Sequence, residues 1–246
     1  MEIELMNYTG LGRPDQVWHA ADVMIFTKQT RLNLSAGLME EIQSWSPEKK
    51  KAELDYMAKT IKSSWEFIDV TFLLSGISRA VAQQITRTRT ASYAMQSMRV
   101  TDVSELTVVE GRKMNTVQLD IYRDAANTAR SFYRELVDSG VALEDARGIM
   151  PLNTECNIIC KYNFRSVTDL IKARKSLRAQ GEYGEIVREM ERLILAVWPW
   201  AAPFFESDID VAIEMLEKAA KEIGITTGKG LGWEIAKAID LIRKSE

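Results

Sequence analysis

Between Asp69 and Asp102 the chain carries no acidic residue and no lysine, yet it holds Arg79, Arg87, Arg89 and Arg99. A solvated surface loop normally mixes signs and uses lysine freely. Arginine alone offers a planar, permanently charged fork that grips phosphate through two parallel N–H bonds. Hydroxyls alternate with these arginines at Thr86, Thr88, Thr90, Ser92 and Ser97. The chemistry this suggests is binding of a phosphorylated ligand. The competing reading is a basic loop held by acidic neighbours from elsewhere in the fold. A second group follows at Arg147, Arg165, Arg174 and Arg178. Arg165 and Arg174 are about two and a half helical turns apart, so they cannot share one face closely. Arg165 falls at a predicted helix start, where backbone N–H groups favour anions. Taken singly, these four read as ordinary exposed helix arginines.

Other chemistries are narrowed by composition. The chain of 246 residues has one histidine, His19, and two cysteines. A multi-histidine zinc site is impossible, and a Ser-His-Asp triad would have only His19 to use. Neither GxxxxGK[ST] nor GxGxxG occurs, and Gly228-Lys229-Gly230 lacks the rest of a phosphate loop. Cys156 and Cys160 share one face of a predicted strand, without CxxC spacing, and read as buried thiols. No metal is expected. Two cysteines make no disulfide framework, which suits a reducing compartment. No apolar run is long enough for a membrane span, and MEIELMNYTG does not read as a secretory signal. The TRTRT run with Tyr93 could serve nucleic acid through phosphate contacts and stacking. The net charge of −3 argues against that, since a basic domain is the usual footprint.

These residues need elements to position them. Residues 2–8 alternate charged and apolar and predict a strand. Residues 15–45 have mixed, partly helical spacing. Ser46-Pro47-Glu48 starts a helix, with Ser46 as N-cap and Pro47 at the first position. That helix runs through Leu54, Met57, Ala58 and Ile61. Residues 67–74 read as a strand broken by Gly76, then 77–86 as a short helix and 87–101 as a loop. Residues 103–109 read as a strand or an extended edge. A long amphipathic helix covers about 112–139 and ends at Gly140 in the C′ position. A short helix at 142–149 stops before Pro151. Residues 154–164 read as a strand, followed by helices at 165–179 and 182–198. Tyr162, Tyr183, Trp198 and Trp200 are expected in the core. Further helices are expected near 208–223 and up to 244, around a break at Gly228, Gly230 and Gly232. The fold class is α+β, with helices packed on a small, mostly antiparallel sheet. Residues 1–246 form one domain, with 206–246 as a C-terminal helical extension.

The order of residues also carries a resemblance. Arg87-Thr88-Arg89, then seven residues, then Ser97, resembles the RHR-x7-S signature of the flavin-dependent thymidylate synthases. SGVALEDARGIMPLN at 139–153 resembles that family's SGV...AR..LP.N segment. NFRSVTDLIKARKSLRAQ at 163–180 resembles its N-x-RS…LR…AQ segment, and Trp198-Pro199-Trp200 stands where a PW pair is common. The resemblance covers roughly residues 55–205. It implies a homotetramer of α+β subunits with shared active sites, in the cytoplasm of a bacterium, an archaeon or a phage-infected host. It implies FAD, NADPH, and transfer of a one-carbon unit from methylenetetrahydrofolate to C5 of dUMP without an enzyme nucleophile. By position, Arg87, Thr88, Arg89, Glu66, Asn163, Arg165, Asp169 and Arg178 would face the flavin. Gln84, Ser97, Arg99, Arg147 and Arg174 would hold the nucleotide, with Arg99 and Arg147 on its phosphate. Arg174 and Ser97 are the catalytic candidates, Arg174 polarising the pyrimidine ring. FAD and a nucleotide would then bring their phosphates into one cleft lined by the acid-free window. No membrane partner and no direct nucleic-acid partner are implied.

The departures from that pattern cluster at the same place. Thr88 stands for the motif histidine, Ala94-Met95 for an Asn-Glu pair, and Gln83 for a common arginine. Asp169 falls where asparagine is frequent and Arg178 where histidine is. No histidine occurs in 55–70, where Phe67 lies. One reading is drift within a thymidylate synthase. The other is a hydroxymethylase acting on dCMP or dUMP, as in relatives from phages with modified bases. Asp169, as a pure acceptor, would suit the N4 amino group of cytosine.

Overall fold

A computed structural model describes residues 1–32, 35–175 and 181–206. Its strands are β1 (Glu2–Tyr8), β2 (Asp69–Ser78), β3 (Ala91–Met95) and β4 (Glu155–Asn163), in one antiparallel sheet ordered β1-β2-β4-β3. The period of two is plain in β4. Cys156, Ile158, Cys160 and Tyr162 point into the core, while Asn157, Ile159 and Lys161 face outward. Both cysteines are free and buried, as the alternation requires. Burial pushes the Cys160 thiol up to about 12, which leaves it an inert apolar filler.

One face of the sheet is covered by α1 (Gln16–Gln29), α2 (Leu38–Gln43), α3 (Pro47–Thr60), α4 (Arg79–Ile85), α7 (Phe164–Arg174) and α8 (Gly181–Val197). Ser46 caps α3 by accepting the Lys49 N–H at 3.3 Å, with Pro47 at the first position. Phe164 is the hub of an aromatic cluster with Trp65, Trp198, Trp200, Phe204 and Phe205. Trp198 and Trp200 stack with centroids 5.6 Å apart, so this motif packs the core. A smaller core of Met98, Val103, Tyr133 and Ala146 lies under α5 (Thr116–Asp138) and α6 (Leu143–Ala146). The expected α+β architecture is present, and every strand pairing is antiparallel.

Four local expectations are corrected. Gly76 does not end its strand. Its φ of +64° makes a bulge inside β2, a conformation a side chain would strain, and pairing with β4 resumes at Ile77. The predicted loop 87–101 contains β3, because Ala91, Tyr93 and Met95 alternate inward and pair with Tyr162, Cys160 and Ile158. Residues 103–109 form no named strand. They meet the segment before β4 through one bridge, Val108 to Thr154, flanked by the Val109 N–H to Asn153 carbonyl and Glu155 N–H to Thr107 carbonyl bonds, while side chains take the Val103 and Thr107 amides. The long helix begins at Thr116, where Asn115 and Gln118 form a capping box. It ends as expected, with Gly140 at φ +92°. The helices and glycine break expected beyond 206 lie outside the described residues, as does Arg178. No helix among the described residues is long and apolar enough to cross a membrane.

Candidate active site

Strand register decides which candidate residues meet. β3 starts with Ala91 opposite Tyr162 and ends with Met95 opposite Ile158. The Arg87–Arg89 turn therefore lies at the Asn163 end of the sheet. Ser97 and Arg99 leave from the other end, where Gln96 N–H bonds the Asn157 carbonyl at 3.0 Å. Extended chain from Ala91 to Ser97 spans roughly 20 Å. Within one protomer the arginines of the acid-free window therefore do not form one cluster. The reason is the strand hidden in the predicted loop.

At the Asn163 end, Asn163 caps α7 by accepting the Ser166 N–H at 2.8 Å. Asp69 pairs with Asn163 across the sheet, which places Glu66, just before β2, at the same end. Arg165 Nη1 donates to Glu66 Oε1 at 2.7 Å, and Arg165 Nε lies 4.0 Å from Asp169 Oδ2. The structure thus brings Glu66, Asn163, Arg165 and Asp169 together. Asp169 is engaged by Arg165, one turn back on the same helix. The Arg87–Arg89 turn is fixed from beneath, where the Tyr93 hydroxyl lies 2.9 Å from both the Ile85 and Thr88 carbonyls. Burial pushes the Tyr93 and Tyr162 phenols up, so both stay protonated. Arg87 and Arg89 themselves are exposed and have no carboxylate partner among the described residues. Two unpaired guanidinium groups on a rigid turn, beside a helix N-terminus, are a fit for a pyrophosphate-bearing ligand.

At the opposite end, Ser97 Oγ accepts the Arg99 N–H at 3.1 Å, tightening the turn that presents Arg99. Arg99 Nε donates to Glu144 Oε2 at 2.6 Å, and Arg147 Nε donates to the Glu144 carbonyl at 3.1 Å. Ser97, Arg99 and Arg147 therefore meet around one residue of α6. Arg174, at the C-terminal end of α7, lays its guanidinium 5.3 Å from the centroid of the buried Tyr183 ring. Burial raises the Tyr183 phenol to about 12 against the pull of Arg174, so it is a neutral platform. Gln84 stands on α4, partly buried and close to the Arg87 turn through the Arg87 N–H to Gln84 carbonyl bond.

The chain matches the family model described as thymidylate synthase complementing protein over residues 4–200. The chain belongs to this family. Several relatives carry the name flavin-dependent thymidylate synthase. One from Geobacter sulfurreducens is 34% identical over 67% of this chain and 73% of its own length. One from Haloarcula marismortui is 28% identical over 59% of this chain and 70% of its own. One from Clostridium tetani is 26% identical over 81% and 84% respectively.

For a member of this family, the structure adds three supporting residues that sequence reasoning missed. Glu182 is buried and receives both the backbone N–H of Ser78 at 2.7 Å and its hydroxyl at 2.6 Å. Ser78 in turn caps α4, so Glu182 fixes the helix that carries Gln84 and leads into Arg87. Tyr183 supports Arg174, and Glu144 gathers Arg99 and Arg147. Glu144 lies inside the quoted 139–153 segment and Glu182 just beyond the 163–180 segment, but nothing in local spacing tells a supporting carboxylate from a solvated one. Arg79, the remaining arginine of the window, is taken up by the Gln96 carbonyl at 3.2 Å.

Proposed function

We propose that this protein methylates dUMP to dTMP, using methylenetetrahydrofolate as one-carbon donor, FAD, and NADPH as reductant. The observation that supports the reading is arginine at motif positions 87, 89, 99, 147 and 174, with Arg99 and Arg147 gathered at Glu144. Arg99 and Arg147 hold the nucleotide phosphate, while Gln84 and Ser97 supply hydrogen bonds to the rest of the nucleotide. Arg174 donates to the pyrimidine ring and stabilises negative charge as C5 becomes nucleophilic. Arg87, Thr88, Arg89, Glu66, Asn163, Arg165 and Asp169 flank the flavin, and Arg178 is assigned beside them by motif position alone. When bound, the flavin supplies the hydride that completes the methyl group. The two free, buried cysteines suit a reducing cytoplasm.

A homotetramer with shared sites accounts for the separation of the two arginine groups. The flavin end of one protomer's β3 would meet the phosphate end of another's. Support comes from α5, which presents a second apolar stripe of exposed Val117, Ile121 and Phe132, with exposed Ile149 lining the same surface as Phe132. Phe132→Glu is expected to break the assembly into smaller species at micromolar concentration and to lower activity with it. Sedimentation velocity reads this directly, and an unchanged sedimentation coefficient would place the interface elsewhere.

Hydroxymethylation of dCMP or dUMP is the second reading. The observation that favours it is Met95, which packs against the core at the β3 position where the family motif has a carboxylate. Incubation with FAD, NADPH, methylenetetrahydrofolate and either dUMP or dCMP, followed by mass analysis, decides between the two. A methylated product from dUMP is expected. A CH2OH product from dCMP would overturn the main reading, and no product from either would overturn the activity. A colourless protein that refuses FAD but shifts oligonucleotides would favour nucleic-acid binding instead.

A further inference from the structure

Glu144 touches both arginines assigned to the nucleotide phosphate, and it touches each through the same atom type. Its carboxylate accepts from Arg99 Nε and its backbone carbonyl from Arg147 Nε. A guanidinium has five N–H groups in one plane. Bonding through Nε fixes the head while leaving the terminal amines for a second partner. Among the described residues, no carboxylate or carbonyl takes those terminal amines of Arg99 or Arg147.

The pair is also in the wrong place to serve stability. The Arg99 side chain is 66% exposed and that of Glu144 47%. Exposed ion pairs of this kind contribute little to folding. Residue placement fits a preorganising role better. Ser97 tightens the turn before Arg99, α6 and the following turn carry Glu144 and Arg147, and Ala146 between them is buried in the small core with Met98. Both arginine-bearing segments are thus anchored on one packed cluster, with Glu144 at their junction.

We propose that Glu144 is a positioning residue for the nucleotide phosphate. It holds the two guanidinium heads by their Nε atoms so that their terminal amines converge on one phosphate group. This rests on the assignment of Arg99 and Arg147 to that phosphate. Glu144 does not touch the reacting atoms. Its contribution is to remove the side-chain freedom that two long arginines would otherwise lose on binding.

The test compares dUMP with deoxyuridine, which lacks the phosphate, in equilibrium binding to the FAD-loaded protein. Glu144→Ala is expected to weaken dUMP binding about ten-fold, the scale of one hydrogen bond to a charged group. Binding of deoxyuridine and FAD, and the melting temperature, are expected to stay unchanged. Glu144→Gln keeps an oxygen acceptor for Arg99 Nε and is expected to recover most of the affinity. Adding Glu144→Ala to Arg99→Ala is expected to cost less than the same change does alone. Tighter dUMP binding by Glu144→Ala would make Glu144 a competitor of the phosphate and overturn the proposal. Equal weakening of dUMP and deoxyuridine would overturn it in favour of general support of the fold. Unchanged dUMP binding by both Arg99→Ala and Arg147→Ala would overturn the phosphate assignment itself, and this role with it.

Discussion

Arg174→Ala is expected to abolish measurable turnover while FAD remains bound, a loss of about 10²–10³-fold or more in kcat. The size follows from the role proposed for Arg174. A preorganised donor aimed at developing charge acts most strongly in the transition state, so its removal falls on kcat rather than on substrate affinity. The retention of FAD follows from geometry. Arg165 and Asn163 stand at the N-terminal end of α7 and Arg174 at its C-terminal end, separated by roughly 14 Å of helical rise. Truncating the far end leaves the cap and the Arg165–Glu66 pair in place. Arg174→Lys separates charge from shape. Lysine keeps the positive charge but loses the planar fork and the stack on Tyr183. It is expected to recover only a small part of the rate. The checks are single-turnover product formation and the flavin absorbance of the purified variant. A colourless Arg174→Ala protein would move this residue to the flavin site.

How far the sequence reached is clearest at β3. The motif Arg87-Thr88-Arg89 to Ser97 was legible through its resemblance to the family signature, and its arginines through the acid-free window around them. The geometry between its two halves was not. Polar Ser92 and small Ala91 and Ala94 hide the alternation of a half-exposed edge strand, and only pairing with β4 makes it one. The consequence is functional, since that strand separates the arginines it joins in sequence. The cap at Ser46 and the glycine turn at Gly140 could be read locally, because each acts within a few residues. Glu182 could not, because its partner Ser78 is distant in sequence and the contact exists only once β2 and α8 are packed. Glu144 was hidden differently. It sits within the quoted SGVALEDAR segment, and only the folded positions of Arg99 and Arg147 give it a role.

Lys50→Met is expected to destabilise the protein by about 3–5 kcal/mol, the usual cost of leaving one member of a buried pair alone. Lys50 Nζ lies 2.7 Å from Asp22 Oδ1, with side-chain exposures of 6% and 2%. The ammonium also donates to the Gln43 carbonyl at 3.3 Å and lies 5.8 Å from the Trp18 ring centroid. One charge therefore ties α1 to α3 and to the end of α2. Burial pushes Asp22 above the usual carboxylate value, and Lys50 opposes that shift. Without Lys50 the Asp22 pKa rises further, so the native state holds a proton that the unfolded chain releases. Stability is then greatest below the unfolded carboxylate value and falls as pH rises through the folded one. Denaturant unfolding should show the variant losing more at pH 8 than at pH 5. Asp22→Asn combined with Lys50→Met is expected to recover most of the loss and to flatten the pH dependence. A single variant that unfolds like the parent at both pH values would show that this pair is not the clamp. Because α3 leads into the short 3-10 helix that carries Glu66, loosening α3 is expected to shift the Arg165 partner as well. Lys50→Met should therefore lower the fraction of protein carrying FAD even below its melting point, whereas the double variant should not.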